Sequence, residues 1–276
     1  MNKRSLMALG LAVVFGTAGA EGQVMKDSVS GIEFVRIPAG CFPMGADLAG
    51  RPKQGLPISV PAPDELPRHE VCVTSFWMGK SEVTREQWTR VTGKLWPGLD
   101  RPASEITWHE AMRFVEQLSS KSSGRFRLPT EAEWEYACHA GAYRPAIEPY
   151  GDARTRLFDE TDKVAWFQYQ AGRNPEVRPV MNRAPNAWGL YDMLGNVWEW
   201  TADGYDPAAY ARHARNDPFQ PPVDERRVMR GGAFKTDIAR VRCGVRSFAP
   251  ADERMPSIGL RVVREIDSTQ DQEVKR

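Results

Sequence analysis

The 276-residue chain has no long apolar run, almost no net charge, and no cysteines or histidines spaced for a metal. Each absence removes a class of function. A helix that crosses a bilayer takes about twenty consecutive apolar residues, and no stretch here reaches that, so no membrane span is expected. A formal net charge of +1 leaves no electrostatic footprint for nucleic acid or anionic lipid. The four cysteines, Cys41, Cys72, Cys138 and Cys243, form no CxxC or CxH pattern, so no zinc or haem signature is present. The four histidines, His69, His109, His139 and His213, form no HxH, HxxxH or HExxH spacing. Neither a facial-triad iron site nor a zincin site is therefore written here, and all four read as structural or solvated. No serine lies in GxSxG, which leaves a serine hydrolase unsupported. There is no internal repeat and no interdomain linker.

What is present begins at the N-terminus. Lys3 and Arg4 precede an uncharged, mostly apolar run at residues 5–15, and Ala18-Gly19-Ala20 follows. A basic region, an apolar region of about eleven residues and a small-x-small site make the layout of a secretory leader. The expectation is a signal peptide at residues 1–20, cleaved after Ala20, and a periplasmic or secreted protein. No cysteine follows the cleavage site, so no lipid anchor is expected. One domain then remains, residues 21–276, with a core at about 30–266. Losing Lys3 and Arg4 takes the net charge from +1 to −1. In an oxidising compartment an even cysteine count favours two disulfides.

With 23 glycines and 21 prolines, the backbone should be turn-rich. The Pro-rich residues 57–67 read as a surface loop. Thr84–Gln87, Thr107–Glu110 and Thr130–Glu133 each have the capping-box spacing that satisfies free N–H groups at a helix start. After Thr107, the residues Trp108, Ala111, Met112, Val115 and Leu118 form an apolar stripe at helical spacing that ends before Gly124. The third helix should stop at Gly141. Short β-type runs occur at residues 32–37, 71–78, 228–230, 240–245 and 259–264. The fold class is α+β, with small sheets and long loops.

The stretch GLYDMLGNVWEWTADGY (residues 189–205) places Asp192 and Glu199 on either side of a Gly195-Asn196 turn. Three readings stand. The acids could cap turns, they could join turn carbonyls as hard oxygen ligands for Ca²⁺, or one could be buried and act as an acid. Arg230, Arg240, Arg242 and Arg246 could line an anion site through their guanidinium forks. Alternatively, Arg240, Arg242 and Arg246 form the outer face of strands around Val241, Cys243 and Val245.

Seven segments in this order resemble the sulfatase-modifying-factor domain of the formylglycine-generating enzyme family: IPAGCFPMG (37–45), PRHEVCVTSFWMGKSEVTREQW (67–88), ITWHEAMRFVEQLS (106–119), RLPTEAEWEYAC (127–138), NAWGLYDMLGNVWEWTAD (186–203), RGGAF (230–234) and RCGVRS…GLRVVR (242–264). The resemblance implies a C-type-lectin-like, calcium-stabilised α+β domain. It assigns Asp192 and Glu199 as calcium side-chain ligands and Gly195 and Val197 as carbonyl ligands. Only one such site is expected, because residues 165–180 do not match the family's second site. The resemblance also pairs Cys138 with Cys243, between the helix and the RC strand, and parity then leaves Cys41 with Cys72.

Formylglycine-generating enzymes bind copper through two cysteine thiolates after their GGS, and soft thiolates suit Cu(I). Here the stretch reads GGAFKTDIARVRC, with Ala233 for the serine and Thr236 for the first cysteine. No thiolate copper site is expected, and the redox cofactor is open. The exported oxidase of pyoverdine maturation is similar in lacking both the cysteine pair and a histidine triad. That likeness implies oxidative tailoring of a small-molecule or peptide-derived substrate such as a siderophore precursor. The site would lie between residues 231–237 and 246–255, with Asp237, Arg246, Asp252 and Glu253 as candidate catalytic residues. The alternative is a non-catalytic, calcium-stabilised module that binds a protein, glycan or envelope component.

Overall fold

A computed structural model describes residues 23–46, 61–141, 153–168 and 176–266, without the side chains of 153–158. The expected leader and its cleavage site lie outside the described residues, as does the start of the Pro-rich loop. Among the described residues no helix is long and apolar enough to cross a membrane.

The first half of the chain alternates short strands with capped helices. Strands β1 (Val24–Lys26), β2 (Glu33–Ile37), β3 (Gly40–Met44), β4 (His69–Val73) and β5 (Phe76–Gly79) come first. Helices α1 (Arg85–Thr92) and α2 (Trp108–Lys121), strand β6 (Phe126–Arg127) and helix α3 (Glu131–His139) follow. Then come α4 (Ala153–Val164), β7 (Ala165–Trp166), β8 (Leu194–Gly195), β9 (Trp198–Gly204) and β10 (Arg226–Arg230). The chain closes with β11 (Ser247–Pro250), β12 (Ile258–Leu260) and β13 (Val263–Arg264).

The strands form a five-stranded sheet in the order β1-β2-β5-β13-β6, a four-stranded sheet β11-β10-β9-β12, and the pairs β3-β4 and β7-β8. Side chains alternate across a strand, and β2 uses both faces. Phe34 joins one apolar core with Trp88, Phe114, Trp200 and Leu260. Val35 and Ile37 join a second core with Phe76, Trp134, Tyr136 and Tyr210. The five-stranded sheet thus carries one core on each face.

All three capping boxes form. Thr84, Thr107 and Thr130 each accept from the backbone N–H three residues on, and Gln87, Glu110 and Glu133 return the bond to the cap N–H. Helix α3 ends one residue earlier than Gly141 implies, because Ala140 itself takes the left-handed conformation at φ 49°.

Three strand expectations change. Residues 71–78 split between β4 and β5, which belong to different sheets. Residues 240–245 form no strand. The Asp237 side chain accepts from Ala239 N and starts a 3₁₀ turn, Ile238–Arg240, and Arg242 turns away to Glu65. Residues 259–264 are interrupted where Arg261 turns inward. Helix α4 is not announced by the sequence, which has no Ser/Thr-x-x-Glu/Gln pattern at its start.

Candidate functional site

Helix α3 is buried on every side, and among its buried residues are Glu131, Glu133 and Glu135. Ionised carboxylates are tolerated in a core only when they are paired and hydrogen-bonded, and arginines supply this. Arg246 Nε and Nη2 donate to the two oxygens of Glu131 at 2.7 and 2.9 Å. Arg230 donates to Glu131 at 3.1 Å and also to Glu135, and its Nη2 reaches the Cys243 carbonyl. Arg127 clasps Glu133 with two bonds of 2.7 Å. Burial alone would raise the Glu135 carboxyl, but the charge of Arg230 and the contact with His139 outweigh it and hold it at about 2. Glu131 is likewise held below its usual range by Arg246 and Arg230 against burial. The anions that meet Arg230, Arg242 and Arg246 are therefore the protein's own carboxylates; only Arg240 is exposed. Neither the external anion site nor the outer strand face describes them.

The 189–205 stretch builds a second buried cluster. Left-handed residues at Asp192, Gly195 and Asn196 make its tight turn. Gly195 is required, since a Cβ there would run into the Trp166 carbonyl. Asp192 accepts from Met181 N at 2.7 Å. Glu199 accepts from Arg261 Nη2 at 2.8 Å and from Trp134 Nε1 at 2.7 Å. Glu82, which sequence reasoning left unassigned, accepts from Val197 N and Asn196 Nδ2 at 3.0 and 2.7 Å. Burial raises the Glu82 carboxyl, and the charges of Asp192 and Glu199 push it further. Burial pushes Asp192 up to about 6.

Three buried acids thus face one guanidinium, and that surplus of negative charge suits a hard divalent cation. No group of three or more His, Cys, Asp or Glu among the described residues forms a ready metal cage. Of the expected calcium ligands, Asp192 and Glu199 lie together in this cluster, both buried and both under the charge of Arg261. Glu199 shares its oxygens with Arg261.

Four candidate catalytic residues were expected in one cleft, and the structure does not bring them together. Asp237 caps its own 3₁₀ turn at the surface. Arg246 is buried on Glu131. Asp252 is exposed, 3.7 Å from His109 at the start of α2. Glu253 accepts from Arg254 N. No hydrogen bond or ion pair joins any two of them among the described residues. Sequence proximity across two loops did not translate into convergence. Loop 231–237 closes on itself, with Ala233 N donating to Thr236 Oγ1 at 2.8 Å and Phe234 packed with Val177 and Val197.

Both disulfides form, Cys138–Cys243 and Cys41–Cys72, although Cys243 lies in a turn rather than a strand. His69 and His213, 144 positions apart, meet with Nε2 and Nδ1 at 3.1 Å. His69 also lines an open groove of about 540 Å³ with Pro43, Leu66, Pro67, Arg68 and Glu70.

The model of the sulfatase-modifying factor enzyme 1-like domain matches residues 20–266. The chain belongs to this family. Its fold is the C-type-lectin-like fold of that family. The chain is 30% identical over 189 residues to a formylglycine-generating enzyme of Streptomyces coelicolor, covering 62% of this chain and 54% of that protein. It is 26% identical over 245 residues to the chaperone protein LppX of Paenibacillus barcinonensis, covering 70% and 81%. The chain spans about half the length of the curated formylglycine-generating enzymes it matches. Among solved structures, PvdO from Pseudomonas aeruginosa superposes with a TM-score of 0.74 at 28% identity, covering 89% of this chain and 99% of that one.

Proposed function

We propose that this family member is an exported protein that does not generate formylglycine by thiolate copper chemistry, and that it oxidatively tailors a peptide-derived metabolite such as a siderophore precursor. The observation that carries the first part is the state of the sulfurs. All four cysteines are bonded in pairs, and the loop after β10 holds Ala233 and Thr236 in a closed turn. No thiolate pair is available to a soft metal. The similarity to PvdO over nearly the whole of both chains supports the second part. Of the expected catalytic acids, Asp237 is the one on this loop and open to solvent; Arg246 is a structural cation. A calcium ion at Asp192, Gly195, Val197 and Glu199 belongs to the same proposal, supported by the surplus of buried negative charge there.

The test is turnover. Purified protein is incubated under air with a reduced, catechol-bearing peptide precursor and followed for a new chromophore and for oxygen consumption. Oxidation that depends on the protein and is lost in Asp237→Ala supports the reading. Absence of oxidation across a panel of such precursors overturns it. A second reading, a binding module, draws on the scattering of the four candidate residues and on the similarity to a protein named as a chaperone. One scaffold can host unrelated functions. Saturable binding of an envelope protein or glycan without turnover would favour it.

A further inference from the structure

The two disulfides differ at one end: Cys41 is exposed and Cys138 is buried. On the β3–β4 ribbon the alternation of side chains turns Phe42, Met44, Val71 and Val73 into the core. The same period turns Cys41 and Cys72 outward, directly opposite one another in the antiparallel register. Cys41 is exposed and Cys72 half-buried. Cys138 is only 7% exposed and packs in the second core, and Cys243 is half-buried against that core. The second bridge thus has one buried and one half-buried end, where the first has one exposed end. Thiol–disulfide exchange needs a thiolate to reach one sulfur, so access decides which bridge reacts.

We propose that Cys41–Cys72 is a thiol-exchange site, taking electrons from a dithiol reductant while Cys138–Cys243 stays closed. A thiolate of the reductant attacks Cys41 Sγ, a mixed disulfide forms and Cys72 leaves as thiolate. The reductant's second thiol then displaces Cys41. Two electrons pass to the bridge, leaving two protein thiols and an oxidised reductant. The fold tolerates this step. The ribbon keeps its backbone ladder from Gly40↔Val73 to Met44↔His69, and Cys72 keeps its own bonds, N–H to the Arg215 carbonyl and C=O from Asp217 N.

The bridge stands beside the edge of a cavity. Pro43 and His69–Glu70 are ribbon residues that line the 540 Å³ groove. Cys72 ties the ribbon to residues 215–217, next to His213, which contacts His69. Opening the bridge therefore places two thiols beside the groove while the backbone ladder, the tie to residues 215–217 and the buried arginine clusters remain in place.

The test uses the full protein in a graded series of dithiothreitol, quenched with iodoacetamide and read by peptide mass spectrometry. Cys41 and Cys72 should be alkylated at least about ten-fold faster than Cys138 and Cys243, with circular dichroism unchanged. Reduction of both bridges together, or of Cys138–Cys243 first, overturns the proposal. A second arm uses oxidised glutathione on single variants. Cys72→Ser should capture glutathione on Cys41 readily and Cys41→Ser should capture it slowly on Cys72; the reverse order places the attack on the wrong sulfur and rejects the mechanism. The double variant Cys41→Ser/Cys72→Ser should fold and show no fast-reacting thiol. A fast thiol persisting in it overturns the assignment.

Discussion

Arg261 and Glu199 form a buried two-point clasp. Nε lies 3.1 and 3.0 Å from the two carboxylate oxygens, Nη2 lies 2.8 Å from one of them, and both side chains are at most 1% exposed. Arg261 also donates to the carbonyls of Gly79 and Tyr191, so one guanidinium joins β5, β9 and the turn before β8. Removing it would strand Glu199 in a cluster that already holds Glu82 and Asp192. Arg261→Met should cost about 3–5 kcal/mol, the scale for breaking a buried pair. The double variant Arg261→Met/Glu199→Leu should cost much less than the sum of the singles, because neither charge is then left alone. Urea unfolding of the four proteins measures this, and simple additivity would show that the two residues are not coupled.

The same cluster bears on calcium. A ligand that binds only the folded state stabilises by mass action. Excess chelator should lower the Tm of the wild-type protein, and added Ca²⁺ should restore it. Asp192→Ala should remove most of that difference, because it takes away one of the two side-chain ligands. An unchanged Tm in chelator would exclude calcium as a part of the native fold.

Local patterns in the sequence were legible and distant pairings were not. The three capping boxes are set by residues three apart, and all three form. The family motifs carried the C-type-lectin-like fold because they cover the chain nearly end to end. The Glu199–Arg261 contact spans 62 positions, Glu131–Arg246 115 and His69–His213 144, and no periodicity announces such pairs. The alternation of Arg240, Arg242 and Arg246 with Val241, Cys243 and Val245 suggests the outer face of a strand. The chain instead turns there, and burial selects the partner. Glu82 and Arg261 stood within recognised motifs, SEVT and GLR, yet their charge and burial were the signal that could have marked them as a pair of cluster residues.

Helix α3 carries both the acids and Cys138, so its N-cap is a sensitive point. Thr130 Oγ1 accepts from Glu133 N at 3.1 Å, and Glu133 Oε2 accepts from Thr130 N at 2.8 Å while also holding Arg127. Thr130→Ala should destabilise by about 1 kcal/mol, which for a protein of this size lowers Tm by about 2–4 °C. Thr130→Ser should recover most of the loss, since its hydroxyl can make the same bond. A serine variant as unstable as the alanine variant would mean that the methyl group, rather than the cap, carries the effect.

Asp203 makes stability depend on pH in a direction opposite to that of the paired acids. It is 1% exposed and accepts from Glu131 N at 2.7 Å and Gln220 N at 2.9 Å. Burial, reinforced by the charge of Glu131, pushes its carboxyl from 3.8 up to about 7. Between about pH 4 and pH 7 the folded protein keeps a proton that the unfolded chain has released, so stability falls as pH rises through this window and levels off above it. Glu135, held at about 2, acts at the other end. Its contribution is present above the ordinary glutamate range and is lost as pH falls toward 2. Stability should therefore peak in mildly acid solution. Asp203→Asn removes the titration, so its Tm should fall less than that of the wild type between pH 5 and pH 7.5, whatever constant offset the amide introduces. The difference between the two proteins is the reading, because Asp192 contributes in the same window. Parallel curves for the two proteins would show that Asp203 does not carry a proton in the folded state.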